Sequence, residues 1–221
     1  MKSALFFFFT LCVSAESLHY SINYPSGLSL GDATLDTSRS QTDKGPGGWN
    51  LTLDIDAGIP GYSVRDHYHA EADADLCSIV LTKKFVHGSH TTDEKITFDQ
   101  QEHSVTRQTT GGGKSDFSVP SCARGAFSYL QFVRNELAQA RLPSAQPVVF
   151  GAVYDVRLEF KGTQTVKVGE QNVDAERIVA NIKGPSTEIA VEIFFSRDKA
   201  HTPVLARLPL ALGTFSVELV R

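Results

Sequence analysis

Trp49-Asn50-Leu51-Thr52-Leu53-Asp54-Ile55 alternates apolar and polar residues without a break. Successive side chains of a strand point to opposite faces, so this run has one apolar and one polar face, as a half-buried β-strand requires. The period recurs on both sides of it. Upstream, Leu18, Tyr20, Ile22 and Tyr24 alternate with His19, Ser21 and Asn23. Downstream, Tyr154, Val156, Leu158 and Phe160 alternate with Asp155, Arg157 and Glu159, and the series Ile189 to Phe195 and Phe215 to Leu219 repeat the pattern. Glycine and proline punctuate the runs at Pro25-Ser26-Gly27, Gly45 to Gly48, Pro60-Gly61, His87-Gly88, Gly111 to Gly113, Gly169 and Gly184-Pro185. Short amphipathic strands separated by such turns predict a mostly β protein, an antiparallel meander curled into a half-barrel or open barrel.

One segment breaks the period. Between Arg124 and Arg141, Phe127, Leu130, Val133 and Leu137 recur at helical spacing, with Pro120 before the segment and Pro143 after it. That predicts one α-helix at about 124–141 with the large curved sheet wrapped around it. Its apolar stripe reads first as core, and a helix gating a ligand cavity is the functional alternative.

The N-terminus reads as a signal peptide. Lys2 supplies one positive charge, Ala4 to Val13 an apolar stretch containing four phenylalanines, and Val13-Ser14-Ala15 a cleavage site of small residues. Glu16 ends the run well short of the ~20 apolar residues of a membrane span. A lipid-modified Cys12 fits poorly, because Leu11 precedes it where a small residue is needed. Cleavage after Ala15 leaves residues 16–221, read as a single β-rich domain with no transmembrane span. The expected location is periplasmic or secreted.

A formal net charge of −4 with no basic run lacks the footprint of a nucleic-acid binder, and 14 phenylalanines are ample for a folded core. Once the leader is removed two cysteines remain, Cys77 and Cys122, which in an exported chain most simply form a disulfide. The alternative is two buried thiols or one reactive thiol. A bridge would tie the start of a strand to the approach of the helix and so tether the helix to the sheet.

Several motifs bear on chemistry. Gly27-Leu28-Ser29-Leu30-Gly31 matches a hydrolase nucleophile elbow, but the residues that follow alternate like the second strand of a hairpin rather than entering a helix. Gly111-Gly112-Gly113-Lys114-Ser115 ends like a phosphate-binding loop, yet Gln108 stands where that loop needs glycine; a mobile connection with a solvated Lys114 fits better. His67 and His69 share one strand face and could chelate a metal, as the first metal motif of the cupins begins, but Ser63, Arg65 and Glu71 on the same face read as solvated. No cofactor is expected. On the opposite face Asp66 falls in register with Tyr62, Val64 and Tyr68, so a partner such as Arg, backbone amides or a Tyr hydroxyl is predicted for it. Ser196-Arg197-Asp198 and His201-Thr202-Pro203 read as a polar turn with an Arg–Asp pair, or as an anion or sugar site.

The exported start, Asp66-x-x-His69, Cys77, the stretch from Cys122 to Leu130 with Arg134, Gly151-Ala152-Val153-Tyr154, and Arg197-Asp198 through Pro203 together resemble the domain-of-unknown-function family 3108 of bacterial envelope proteins. The chain departs from that pattern at Gly125, where the family often has an acid. The resemblance implies a curved antiparallel sheet around a helix, similar in outline to periplasmic carriers of acyl chains. It implies no catalytic residues. The expected function is therefore non-enzymatic, the binding of an apolar or amphipathic ligand or of a partner protein in the sheet's concavity, with Asp66, Tyr68, Arg134, Arg197 and Asp198 as candidate ligand contacts. Expected partners are a lipid, a glycan or another envelope protein. The competing class is an enzyme acting on envelope glycans or lipids, or a metal-binding barrel using His67 and His69.

Overall fold

A computed structural model describes residues 15–42, 45–210 and 213–220. The expected leader lies outside the described residues except for Ala15, which begins the first strand. Among the described residues nine strands precede the helix, the first eight being β1 (Ala15–Asn23), β2 (Ser29–Thr42), β3 (Gly45–Ile59), β4 (Tyr62–Ala72), β5 (Ser78–His87), β6 (His90–Asp99), β7 (Ser104–Thr109) and β8 (Lys114–Ser118). A two-residue strand, β9 (Arg124–Gly125), leads into α1 (Ala126–Leu137). Six follow: β10 (Gln146–Val149), β11 (Val153–Val168), β12 (Gln171–Lys183), β13 (Glu188–Ser196), β14 (Pro203–Leu210) and β15 (Gly213–Leu219).

All fifteen strands form one sheet in the order β8-β7-β6-β5-β4-β3-β2-β1-β15-β14-β13-β12-β11-β10-β9. Neighbours in sequence pair antiparallel, β1 and β15 join the two halves antiparallel, and only β9 runs parallel to its neighbour β10. The end strands β8 and β9 do not pair with each other, so the sheet is open rather than closed. The mostly β architecture around one helix is the one the alternation predicts.

The helix is shorter at both ends than its apolar pattern suggests. Arg124 and Gly125 are drawn into β9 by pairing with Val148 and Val149. At the other end Ala140 adopts a positive φ of 54°, Arg141 N–H donates to Glu136 O and Ala140 N–H to Leu137 O, the paired bonds of a Schellman closure. The Arg141 guanidinium then forks the Glu136 carboxylate at 2.7 and 2.8 Å, so Arg141 ends the helix from outside it.

Three features fix the start of α1 on the sheet. Cys77 and Cys122 are disulfide-bonded, with their Cα atoms 4.6 Å apart. Ser78 Oγ accepts the Gly125 N–H and lies 2.5 Å from Ser128 Oγ, both serines being fully buried. Gln100 brackets the same segment, donating to the carbonyls of Ser78 and Ala123 and accepting the Ala123 N–H. The tether between helix and sheet thus has the place the cysteine positions imply, reinforced by two side-chain clamps.

Adjacent residues of a strand face opposite sides, yet Phe194 and Phe195 are both fully buried. Phe195 packs with the helix residues Tyr129, Val133 and Leu137, whereas Phe194 packs with Val166, Val168, Val173 and Val204. The sheet therefore coils enough here to be covered on both faces. Gly111 and Gly112, both at positive φ, make the tight β7–β8 turn, so the glycine run connects two paired strands rather than a strand and a helix. Lys114 begins β8, exposed, 3.5 Å from Asp116.

Candidate functional site

The concave face is not filled by the helix. Between α1 and strands β10 to β13 lies a cavity of about 440 Å³, walled by Phe127, Tyr129, Leu130 and Val133 of the helix and, from the sheet, by Phe150, Tyr154, Val156, Ala180, Ile182 and Phe195 among others. Every wall residue is apolar or aromatic. This follows from the alternation: the inward positions of β11 and β12 carry Val156, Leu158, Ile178, Ala180 and Ile182, and their outward neighbours are polar or charged at Asp155, Arg157, Glu159 and Lys183. Phe127, Leu130 and Val133 of the helical stripe thus serve both as core and as cavity wall. A larger hollow of about 690 Å³ at the β1–β2 and β3–β4 turns is open to solvent and bordered by Asp32 and Asp56, so it offers little enclosure.

One polar atom stands out in the apolar wall. Tyr129 is 7% exposed, and its hydroxyl has no hydrogen-bond partner among the described residues. Burial pushes its ionisation up to about 12, against the pull of the nearby Arg124 charge. Arg124 lies over the Phe132 ring at 3.9 Å and donates to Gln146 Oε1 and Asp75 O, while its Nε is buried and also without a partner. No carboxylate pairs with Arg124 among the described residues.

On the other half of the concave face the strands carry buried charge. Lys83 and Glu94 sit opposite each other on β5 and β6, 4% and 6% exposed, with Nζ 2.8 Å from Oε1. Arg107 Nε reaches the other carboxylate oxygen at 2.6 Å. Phe150 places its ring centroid 3.8 Å from Lys83 Nζ, and Gly151 at φ 86° lets the β10–β11 turn approach so closely that an added Cβ would meet that Nζ at 3.2 Å. Burial pushes the Glu94 carboxyl up, but the contacts with Lys83 and Arg107 outweigh it and hold the group below its ordinary range. For Lys83 burial wins over the contact with Glu94, and its ammonium is held below its ordinary range. Phe150 is shared, facing this trio on one side and the apolar cavity on the other.

Asp66 is buried, as its register requires, and Tyr68 supplies the expected hydroxyl at 3.2 Å. His87 Nε2 makes a second contact at 2.8 Å, which the sequence did not suggest. Tyr62 does not join that inner face and is instead exposed at the β3–β4 turn. Tyr68 packs on Phe85, Phe127 and Phe150.

The other candidates disperse. His67 and His69 lie on the convex face, each with its own partner, Asp54 at 2.6 Å and Glu71 at 3.3 Å. Among the described residues no three His, Cys, Asp or Glu side chains gather as a metal would need. Arg134, 4% exposed, grips Glu16 with both terminal nitrogens at 2.7 and 2.9 Å and the Ala200 carbonyl through Nε, tying the helix to the start of β1. Asp198 accepts the Ala200 N–H within its own turn and makes no ion pair with Arg197 among the described residues; the expected Arg–Asp pair is replaced by turn capping. Arg197 borders a separate hollow with Arg141, Glu176 and His201. None of these side chains enters the apolar cavity. Tyr129 escaped notice because it sits off the helical stripe, and Lys83 and Glu94 because each was a lone charge among alternating residues.

Residues 19–220 match the profile of the family described as Protein of unknown function (DUF3108), and the chain belongs to that family. No curated protein matches the sequence. Among solved structures, the chain is similar to the crystal structure of a beta-barrel-like protein of domain of unknown function DUF1849 from Brucella abortus. The TM-score is 0.63 at 6% identity, covering 96% of this chain and 97% of that one, a likeness of fold alone.

Proposed function

We propose that this DUF3108 member is an exported envelope protein that binds an apolar or amphipathic small molecule in the cavity between α1 and β10–β13. The observation that carries the reading is the cavity itself. At about 440 Å³ it falls within the range of ~300–1,000 Å³ typical of small-molecule sites, and its lining is made of apolar and aromatic residues. The cavity is partly open to solvent, so a ligand can reach it, and a concave apolar surface left in contact with water is a mark of a binding site. Export is supported by the leader-like start and by the Cys77–Cys122 bridge, which suits an oxidising compartment.

The uncharged dye N-phenyl-1-naphthylamine, which brightens in apolar surroundings, tests the cavity directly. Its fluorescence is expected to rise saturably with the wild-type protein. Ala180→Phe, on the cavity wall, is expected to weaken dye binding at least tenfold without lowering Tm, since the ring enters empty space. Ile182→Trp, nearer the β12–β13 turn, serves as a second filling variant should the first disturb packing. Dye binding unchanged in both folded variants would refute the reading.

A further inference from the structure

We infer that the rim of the sheet carrying the β1–β2, β3–β4 and β14–β15 turns docks on a lipid bilayer, with Leu28, Ile59, Tyr62 and Leu210 entering its interfacial region. Docking does not require a ligand in the cavity.

Topology builds the rim. In a run of antiparallel hairpins successive turns alternate between the two ends of the sheet, and the antiparallel pairing of β1 with β15 keeps that alternation where the halves join. One rim therefore carries the turns β1–β2, β3–β4, β5–β6, β7–β8, β10–β11, β12–β13 and β14–β15. Its connecting residues 24–28, 60–61, 88–89, 110–113, 150–152 and 184–187 include no Asp, Glu, Lys or Arg. The turns of the opposite rim expose Asp73, Asp75, Glu102, Glu170, Asp198 and Lys199 among others.

Solitary exposed apolar side chains are ordinary on any protein. Four of the eight large ones exposed among the described residues, however, fall on three turns of the uncharged rim: Leu28 at 63%, Ile59 at 58%, Leu210 at 52% and Tyr62 at 49%. The strand order β4-β3-β2-β1-β15-β14 sets these turns side by side, about 10 Å apart at two strand spacings each. Neighbouring turns touch, since a Cβ added to Gly213 would lie 2.6 Å from Pro25. At Gly27 and Gly61 an added Cβ would meet nothing within 4 Å, so the tips project clear of the body.

A bilayer suits this row better than a protein partner. The open hollow of about 690 Å³ lies among the tips, bordered by Ile59, Tyr62 and Gly88. A rigid partner resting on separate points would leave that space unfilled, whereas fluid lipid fills it. Tyr62 adds a ring with a polar end, the side chain that favours the membrane–water interface. Asp32 and Asp56 stand just behind the tips and no basic residue lies on the connecting segments, so apolar insertion drives docking and attraction to anionic lipid does not.

Co-sedimentation with phosphatidylcholine vesicles tests the rim. The wild-type protein is expected to bind them equally at low and high salt, with no gain when phosphatidylglycerol is added. Leu28→Ser with Ile59→Ser is expected to lower partitioning about tenfold, by loss of two buried apolar side chains, and to leave Tm unchanged because both residues are exposed in the free protein. Phe160→Ser, 52% exposed in the wild type but beside Arg197 and His201 toward the other end of the sheet, is expected to bind as the wild type does. Absence of vesicle binding by the wild type, binding that needs anionic lipid or vanishes in salt, or equal loss in Phe160→Ser would overturn the assignment. A wild-type dimer in sedimentation that Leu28→Ser/Ile59→Ser dissociates would likewise overturn it, by making the rim an interface between copies. Binding of N-phenyl-1-naphthylamine, measured without vesicles, reads the cavity separately.

Discussion

Removing the Cys77–Cys122 bridge lowers the stability of the fold by about 4 kcal/mol. The bonded residues are 45 positions apart, and in the chain-entropy account a freed loop of that length restores about this much disorder to the unfolded state. For a chain of this size each kcal/mol is worth ~2–4 °C in Tm, so Cys77→Ser/Cys122→Ser is expected to melt roughly 8–16 °C below the wild type. Secondary structure at room temperature should survive. The Ser78–Ser128 contact, the Gly125 N–H to Ser78 bond and the Gln100 clamp still hold α1 to β5. Calorimetry with and without reductant measures the shift, and a change below about 1 kcal/mol contradicts the idea that the bridge restrains the unfolded chain.

Glu94→Gln produces the second large effect. Lys83 and Arg107 lose their shared counter-charge, and Lys83 remains buried beside the aromatic faces of Phe150 and Phe85. Breaking a buried ion pair by removing one partner costs about 3–5 kcal/mol; because Arg107 keeps a side-chain exposure of 35%, the lower end of that range is expected. Lys83→Met with Glu94→Met removes both charges and fills the same space, so it should recover most of the loss, and the double-mutant cycle should show strong coupling. The pH dependence has a definite sign. The folded protein holds Glu94 below its ordinary value of 4.5, so the unfolded chain binds more protons in that window. This contribution is complete above about pH 4.5 and is lost as the pH falls through the lower folded value. Lys83, held below its ordinary 10.5, adds a gain of the same sign as the pH rises toward that value. Glu94→Gln should flatten the acid limb of the stability curve, measured by urea titration from pH 7 downward; an unaltered limb would show that other carboxylates set it.

Much of the sheet is readable from the chain because its strands are consecutive hairpins. Once Trp49 to Ile55 is taken as a strand, each turn of glycine or proline reverses direction and the next alternating run pairs beside it. The Lys83–Glu94 contact was also legible in principle. Each charge interrupts an apolar face, with Leu81 and Phe85 on one side and Ile96 and Phe98 on the other, and the two residues lie equally far from the Gly88-Ser89 turn. Asp66 yields to the same argument, which included a Tyr hydroxyl among its candidate partners but not His87, because His87 comes from the next strand. Other features depend on how far the sheet coils, and no local pattern encodes that. The burial of both Phe194 and Phe195, the parallel pairing of β9, and the gap left between α1 and β10–β13 are of this kind. Arg134, expected as a ligand contact, is instead taken up by Glu16, a partner 118 residues away that no local pattern links to it.

Native mass spectrometry of the protein, gently extracted from the envelope of an expressing cell, tests the central claim most directly. The wild-type spectrum is expected to show the polypeptide carrying one added small molecule, lost on collisional activation or organic extraction and missing from Ala180→Phe. A wild-type spectrum at the polypeptide mass alone would contradict a cavity that carries a ligand.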